Sequence, residues 1–424
     1  MDNITHSLVG IVLAKAVQPS ILVDAGRDSI QARRQWLTLF WTAVIASNLP
    51  DADLVLTRVG KLSKFDYLLH HRGYTHTLLA LIPLALLSAL GVSFFFGTWR
   101  KGQSPSWFRS KLAAASFAAV LLHLSLDFLN DYGIHAFSPF FNRWFYGDVL
   151  FIVDPYIWLA LIPFACLQLQ NRWARGLWAT LGLAMVSVLW LGPFTSVGVA
   201  TAASLWCIAS ILLQWKRKSF EATLLAFFSF FMIILLFSVA SITAQKTVEA
   251  ASALLNPQVP VEEISVSPAP GNPLCWRAWI RTQEDDDLAY VTRLGVVSLL
   301  PSLLSAENCY PGIEKRGTAQ LTPPDLVSTS EISWKGNSHL ERQVFDLLRQ
   351  HSCEFRSFLK FSRLPFLQGL SQGQGRVLVA GDLRYDREAG LGFAEILLSQ
   401  KDDEACAGDS VPWEAPFFRP RRQK

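Results

Sequence analysis

The stretch His76-Thr-Leu-Leu-Ala-Leu-Ile-Pro-Leu-Ala-Leu-Leu-Ser-Ala-Leu-Gly-Val-Ser-Phe-Phe-Phe-Gly-Thr-Trp99 contains no Lys, Arg, Asp or Glu. A bilayer core about 30 Å thick takes roughly 20 apolar residues of helix, so this run is long enough to cross one. Lipid offers the backbone no hydrogen-bond partners, and a crossing segment must therefore be helical. Ala222–Gln245 is a second uncharged run, and Gly176–Trp215 extends over 40 residues. Leu191-Gly192-Pro193 and Gly198 punctuate the longer run, which predicts two spans joined by a tight turn. Gln35–Pro50, Leu112–Leu126 and Pro155–Asn171 are shorter apolar runs, preceded by a short helix near Ile4–Ala16. The expected fold is an α-helical polytopic membrane protein of about seven to eight helices, followed by a C-terminal α+β extramembrane domain. The opening Met1-Asp2-Asn3 lacks the positive n-region of a signal peptide.

The bulk composition agrees. The chain has 424 residues, 51% hydrophobic and 17% charged, against roughly 25% charged in soluble proteins. A single soluble domain and a disordered chain are both excluded. The net charge of +4 is split: residues 1–244 hold 18 Lys+Arg against 11 Asp+Glu, and residues 245–424 hold 20 against 23. Eleven of 15 Trp precede residue 245, and six of eight His lie within the first 135 residues. The expected organisation is a membrane-embedded region over 1–155 that holds the early His residues, further spans over 156–245, and a separate domain over 246–424.

Loop charge sets orientation. Arg27, Arg33, Arg34, Arg100, Lys101, Arg109, Lys111, Arg172, Arg175, Lys216, Arg217 and Lys218 fall on one side under this connectivity. Arg58, Lys61, Lys64, Arg72 and Arg143 fall on the other. The richer side is predicted to be cytoplasmic. Segments 50–75 and 130–148 then face outward, and the C-terminal domain is extracytoplasmic to an inner membrane. Nucleic acid is not an expected partner there; the bilayer is, and an envelope partner for the C-terminal domain is left open.

In the back third, Trp276–Ile280 and Arg376–Leu383 look strand-like, and Leu340–Gln350 has helical spacing. Asn256-Pro257, Pro268–Pro273, Pro311-Gly312 and Pro323-Pro324 signal loops. Cys275, Cys309, Cys353 and Cys406 allow three pairings if oxidised; Cys166 and Cys207 lie inside spans as small apolar fillers. His351-Ser-Cys353, Glu284–Asp287 and the basic end Arg419–Lys424 read as surface features rather than as metal, cation or lipid sites.

Ionisable residues in or beside spans are costly and default to function. His123-Leu-Ser-Leu-Asp127 places imidazole and carboxylate on one helix face, with Asp131 one turn on. His70-His71-Arg72-Gly73-Tyr74-Thr75-His76 abuts a span; His71 and His76 are spaced for two ligands, Gly73 permits an unusual backbone, and Arg72 suits a phosphate. Asp51-Ala-Asp53 follows a helix end and supplies ligands or a general base. His6 follows Thr5, with Asp2 and Gly10 four residues to either side; Gly10 allows a neighbour to approach closely. If the first helix runs from outside to inside, all four elements meet at one membrane face. Three to five His and Asp donors suit a catalytic site of one or two metal ions.

In order and spacing, Met1-Asp-x-x-Thr5-His6-x-x-x-Gly10, Pro50-Asp51-x-Asp53, His71-Arg72-Gly73-x-Thr75-His76 and His123-x-x-x-Asp127 resemble the YdjM-type membrane-bound metal-dependent hydrolases. That family includes members described as regulated by the DNA-damage repressor LexA. The resemblance covers about residues 1–155. More distantly, the order is similar to the zinc-dependent phospholipase C and single-strand nuclease superfamily. It implies ligand roles for His6, one of Asp51 or Asp53, one of His71 or His76, His123 and Asp127, with Asp127 bridging. That superfamily's further His…Glu pair has no match, since His135 has no such Glu nearby. The resemblance implies zinc-assisted hydrolysis of a phospholipid or lipid-linked phosphate, with a spare carboxylate, Asp51 or Asp53, taking the proton and Arg72 steadying a phosphate oxygen.

Two other classes compete. A transporter would use the same His/Asp set as a proton or cation relay, but would spread it towards mid-span. A scaffolding protein would use a closed, structural metal site. The absence of His-Glu-x-x-His removes the usual zinc protease.

Overall fold

The computed structural model describes residues 1–25, 30–55, 64–99, 104–192, 195–253, 255, 259–283, 288–309, 317–372, 375–387, 391–398 and 411–418. Its helices are α1 (Asn3–Ala25), α2 (Ile30–Ala46), α3 (Lys64–His70), α4 (Leu81–Phe95), α5 (Ser106–Phe128), α6 (Pro155–Gln168), α7 (Arg172–Leu191), α8 (Val197–Gln214) and α9 (Ser219–Ser252), with α10 (Arg342–His351) and α11 (Cys353–Leu359) near the C-terminus. The chain divides into two units. The first comprises Met1–Val55, Arg72–Ser138 and Leu150–Leu236; the second comprises Leu56–His71, Pro139–Val149 and Phe237–Lys424. Residues on both sides of position 155 thus share one unit, and the boundary lies within α9.

Among the described residues, six helical segments are long and apolar enough to cross a membrane: Asn3–Ile21, Leu78–Phe95, Ser106–Phe128, Arg172–Leu191, Val197–Gln214 and Ser219–Ser252, the last running on into the second unit. α6 is apolar but only 14 residues long. α2 has 17 residues and opens with Arg33 and Arg34. The uncharged 40-residue run divides as its Gly and Pro residues predict. Gly192 ends α7, and the Ser196 side chain caps α8 by accepting from Val199 N.

Small residues bring these helices together, as expected where lipid supplies no hydrophobic drive between them. Ala46, Ala85, Ala119 and Val120 form one buried layer with Leu81 and Leu124. Ile21, Leu39, Ala89, Phe108 and Leu112 form another. Ser88 and Ser116 join α4 to α5 through a 2.6 Å hydrogen bond. Large apolar side chains such as Ile82, Phe94 and Phe95 face outward, as lipid-facing residues do.

The second unit carries β1 (Val261–Ala269), β2 (Asn272–Gln283), β3 (Ala289–Ser298) and β4 (Ile332–Glu341) as an antiparallel sheet in chain order. A second sheet holds β5 (Pro365–Gln372), β6 (Gly375–Asp382) and β7 (Glu395–Leu398), also antiparallel. Trp276–Ile280 lies within β2, as expected. Leu340 does not begin a helix: it pairs with Tyr290 as the penultimate residue of β4, and α10 starts at Arg342. The Pro268–Pro273 loop is a tight hairpin whose Gly271 takes a left-handed φ of 66°; Pro268 and Pro273 are in strands. Strand β6 ends at Asp382, one residue short of the expected Leu383.

Cys275 and Cys309 form a disulfide. Cys353 is disulfide-bonded as well, while Cys406 lies outside the described residues. So do Glu284–Asp287, Pro311-Gly312 and Arg419–Lys424. Cys166 and Cys207 are free thiols. Two segments from between the spans fold with this unit: Trp413 Nε1 donates to Leu69 O at 2.7 Å, Trp144 Nε1 donates to Lys360 O at 2.8 Å, and Arg363 pairs with Asp148 at 2.7 Å.

Candidate metal centre

Three parts of the first unit bring donors together. The last two turns of α5 place His123 and Asp127 on one face, as their i, i+4 spacing requires. The short 3₁₀ turn Leu49–Ala52 presents Asp51, and the 3₁₀ turn Tyr74–His76 presents His76. The four side chains are buried. His76 Nε2 lies 3.4 Å from Asp51 Oδ1, 3.0 Å from Asp127 Oδ2 and 3.2 Å from His123 Nε2. His123 Nε2 lies 3.6 Å from Asp51 Oδ1 and 3.4 Å from Asp127 Oδ2. Tetrahedral coordination with bonds of ~2.0–2.1 Å has donor–donor edges of about 3.3 Å. These five distances, 3.0–3.6 Å, bracket that value, so the four residues fit one first-row cation. Asp127 Oδ2 is buried and faces His76 Nε2 and His123 Nε2, as a ligand oxygen would.

The shell around these donors fixes their direction. His123 Nδ1 is 2.8 Å from Ser47 O. A carbonyl only accepts, so Nδ1 carries the proton and Nε2 presents its lone pair to the cluster. Gly10 of α1 permits this: a Cβ there would sit 2.5 Å from Ser47 Oγ and 2.9 Å from Ala43 O. His76 Nδ1 contacts Thr75 Oγ1 at 2.9 Å, and Thr75 Oγ1 donates to Asp53 Oδ2 at 3.0 Å. Asp53 also accepts from Arg72 N at 3.0 Å. It therefore holds the turn that carries His76.

Electrostatics favour positive charge at this point. Burial opposes charge on His76, but the hydrogen bonds its ring donates to Asp127 and Asp51 outweigh it and raise its pKa to about 9. Burial likewise works against the Asp51 carboxylate, yet His76 and His123 hold it well below the usual range. The carboxylates thus select a cation here, whether a proton or a metal ion.

His6 stands apart from the four. Its Nε2 is 3.3 Å from Asp127 Oδ1, the other carboxylate oxygen, and its ring stacks on His123 at 3.8 Å between centroids. Neither ring nitrogen makes a hydrogen bond. The start of α1 is pinned by Asp2, which accepts from Ile4 N, Thr5 N and Thr5 Oγ1. Trp158 Nε1 of α6 bonds Thr5 Oγ1 at 3.1 Å. The Met1 amino nitrogen contacts Asp127 as well.

Arg72 is buried and held on several sides. Its NH2 is 3.1 Å from Asp127 Oδ1, and NH1 donates to Asn130 Oδ1 at 2.7 Å. It takes a left-handed φ of 60°, a strained state for a non-glycine residue. Gly73 has φ −84° and ψ −114°, neither helical nor extended. The unusual backbone expected at Gly73 thus extends to Arg72. His71 belongs to the second unit, where it is buried, bonded through its N–H to Tyr67 O and stacked on the Tyr67 ring at 5.0 Å. His135 is buried with Nδ1 3.2 Å from Arg72 O.

The sequence missed Asn130. The expected stripe ran His123, Asp127, Asp131, but α5 ends at Phe128, so Asp131 is no longer on that face. Asn130 receives the Arg72 guanidinium instead, and its only sequence signal is its place three residues after Asp127. Ser47 acts through its backbone carbonyl, and Trp158 through its indole N–H on Thr5, contacts that spacing does not reveal.

Residues 1–199 match the family model described as YdjM inner membrane protein. The chain is also similar to the uncharacterized protein YfhP of Bacillus subtilis (strain 168), at 27% identity over 166 residues. That alignment takes in 38% of this chain and 44% of the relative, so the chain spans less than half the length of the curated relative it matches. No solved structure matches it. The YdjM resemblance read from the motifs stands over the N-terminal part. The likeness to the zinc-dependent phospholipase C group rests on residue order alone.

Proposed function

We propose that this YdjM-like membrane region is a metal-dependent hydrolase that cleaves a phosphate ester at the membrane–water boundary. The observation that supports it is the four-donor set of Asp51, His76, His123 and Asp127 at tetrahedral-edge spacing. A divalent first-row cation there, zinc first among them, would acidify a water and polarise a phosphoryl oxygen. The mixed His/Asp set suits that role better than the Cys-rich sets of most structural zinc sites.

The chain's residues divide the work. His123 would offer its Nε2 lone pair, directed by Ser47 O; His76, oriented by Thr75, would exchange its Nε2 proton for the metal ion. Asp51 sits on the turn Leu49–Ala52, and substrate approaches from that turn. Asp53 positions His76 and lies close enough to take a proton from that side. Arg72 offsets the Asp127 charge through Oδ1 and leaves Oδ2 to the cluster. Phospholipid or lipid-linked phosphate is the substrate class. The side of the membrane is the extracytoplasmic one, supported by the basic loops and by the disulfide in the C-terminal domain.

The full-length protein, purified in detergent, tests this reading through its transition-metal content and a phosphodiester and phospholipid hydrolysis screen. Near-stoichiometric metal is expected, with activity lost in His123→Ala and Asp127→Ala. Absence of metal, together with unchanged hydrolysis in both variants, would sink it.

One observation favours a second reading. Four protein donors, all buried, is the ligand count of a structural site. In that case the metal ties α5 to the two 3₁₀ turns, and the C-terminal domain engages a partner. A non-exchanging metal whose removal lowers thermal stability, with no hydrolysis detected, would select it.

A further inference from the structure

The first unit has an apolar groove of about 430 Å³ between α2 and α4. Trp41, Ile45 and Leu49 line one wall; Leu87, Gly91 and Phe95 line the other. Its size falls in the range of small-molecule pockets, roughly 300–1,000 Å³. We propose that this groove seats an acyl chain of the lipid whose phosphate is presented to the metal centre. The inference rests on the hydrolase reading and names its substrate class.

Three observations carry it. First, the groove has no charged wall, and its one hydroxyl is already used: Ser88 bonds Ser116 at 2.6 Å and lies 3.1 Å from Ala85 O. Nothing in it calls for a polar occupant. Second, it is built by an omission. Gly91 is exposed, and a Cβ placed there would meet nothing within 4 Å. A larger residue at that point of α4 would fill the channel. Leu87 to Phe95 spans ~12 Å of helix, enough to hold an extended chain segment. Third, the groove reaches the turn that carries a donor of the site. Leu49 lines the groove and opens the 3₁₀ turn Leu49–Ala52 that presents Asp51. A chain lying in the groove therefore ends beside that turn. Leu78–Phe95 is a candidate span of mean hydropathy 2.4, so the groove opens onto hydrocarbon. The chemistry available to fill it there is acyl chain.

The test uses the full-length protein in nanodiscs containing phosphatidylglycerol with a mid-chain diazirine. Photolabelling is expected to concentrate on α2 and α4 peptides and to fall about fivefold in Gly91→Phe. Leu183→Phe, on a lipid-facing position of α7, is expected to leave it unchanged, and Gly91→Ala keeps the groove open as a folding control. Metal content of Gly91→Phe should equal that of the wild type. In a parallel assay, Gly91→Phe should raise KM for long-chain phosphatidylglycerol about tenfold and leave the dibutyroyl analogue unaffected. Labelling spread evenly over the exposed helices and indifferent to Gly91→Phe overturns the proposal. Unchanged long-chain hydrolysis in that variant overturns it while leaving the hydrolase reading intact. Groove-confined labelling with no hydrolysis supports the lipid seat and removes the hydrolase reading instead.

Discussion

His123 Nε2 stands 3.2 Å from His76 Nε2, with the Nδ1 proton of His123 committed to Ser47 O. The two nitrogens approach each other across a point that two carboxylate oxygens also face. Such a cluster is stable only with positive charge at its centre, because buried carboxylates left uncompensated cost several kcal/mol each. Since the donors serve one ion, their removal is not additive. His76→Ala, His123→Ala and the double variant should each lose metal to below about a tenth of the wild-type content. A double variant that loses markedly more than either single one, by elemental analysis of purified protein, would show two independent sites.

Asp53 acts through His76, so its substitution should weaken the site without abolishing it. Loss of an outer-shell partner costs about 10–100-fold in metal affinity. Asp53→Asn is expected to keep full occupancy at saturating metal but to release it to a chelator at a correspondingly lower concentration. If Asp53→Asn cannot be loaded at any metal concentration, Asp53 is itself a ligand.

Much of this centre is legible in the sequence, for a physical reason. His123 and Asp127 are tied by helical periodicity, and His76 and Asp51 stand beside apolar runs where ionisable groups are conspicuous. Long uncharged apolar runs carry the membrane unit, and the Gly and Pro turn signals its division at Gly192. Less visible is anything set by a backbone carbonyl or by where a helix stops. Ser47 contributes only its C=O, and Asn130 replaces Asp131 because α5 ends at Phe128. In the second unit, Leu340 shows the limit of reading apolar spacing. Its helical-looking interval to Val344 crosses a strand–helix junction, and the pairing with Tyr290 decides.

Gly10 links helix packing to the centre. A side chain there would press on Ser47 and on the α2 backbone at 2.9–3.0 Å, and rigid backbone yields little. Overpacking of this kind costs about 1–3 kcal/mol. Gly10→Val should lower the thermal midpoint by several degrees and also reduce metal occupancy, because it displaces the carbonyl that orients His123. A variant destabilised but fully metallated would separate packing from the site.

The Cys275–Cys309 bridge closes 34 residues of chain. By chain entropy such a loop contributes about 3–4 kcal/mol, and it persists only in an oxidising compartment. Alkylation of intact cells before lysis should leave this pair unmodified unless a reductant is added first. Cys275→Ser with Cys309→Ser should lower the melting point of the C-terminal domain. Full alkylation of both thiols in untreated cells would place the domain in the cytoplasm and reverse the topology.

Glu395 provides a pH dependence outside the metal centre. The residue is buried; its Oε2 accepts from Gly392 N at 3.0 Å and from Thr318 Oγ1 at 3.1 Å. Burial raises its pKa to about 7 from the usual 4.5; those two hydrogen bonds pull the other way, and the neighbouring Asp386 adds to the rise. The folded state thus holds the proton more tightly than the unfolded chain. Stability from this group is fully present below the unfolded value and is lost as pH rises through the folded one. The loss amounts to about 1–3 kcal/mol, over the window from about pH 4.5 to about pH 7. Glu395→Gln keeps a neutral side chain of the same shape and should flatten that slope, with its largest gain in stability at the upper end of the window. Thermal unfolding of the full-length protein across this range, followed by Trp fluorescence, reads the difference directly. Parallel slopes for wild type and variant would mean that Glu395 is ionised in the folded domain, and that Thr318 and Gly392 outweigh its burial.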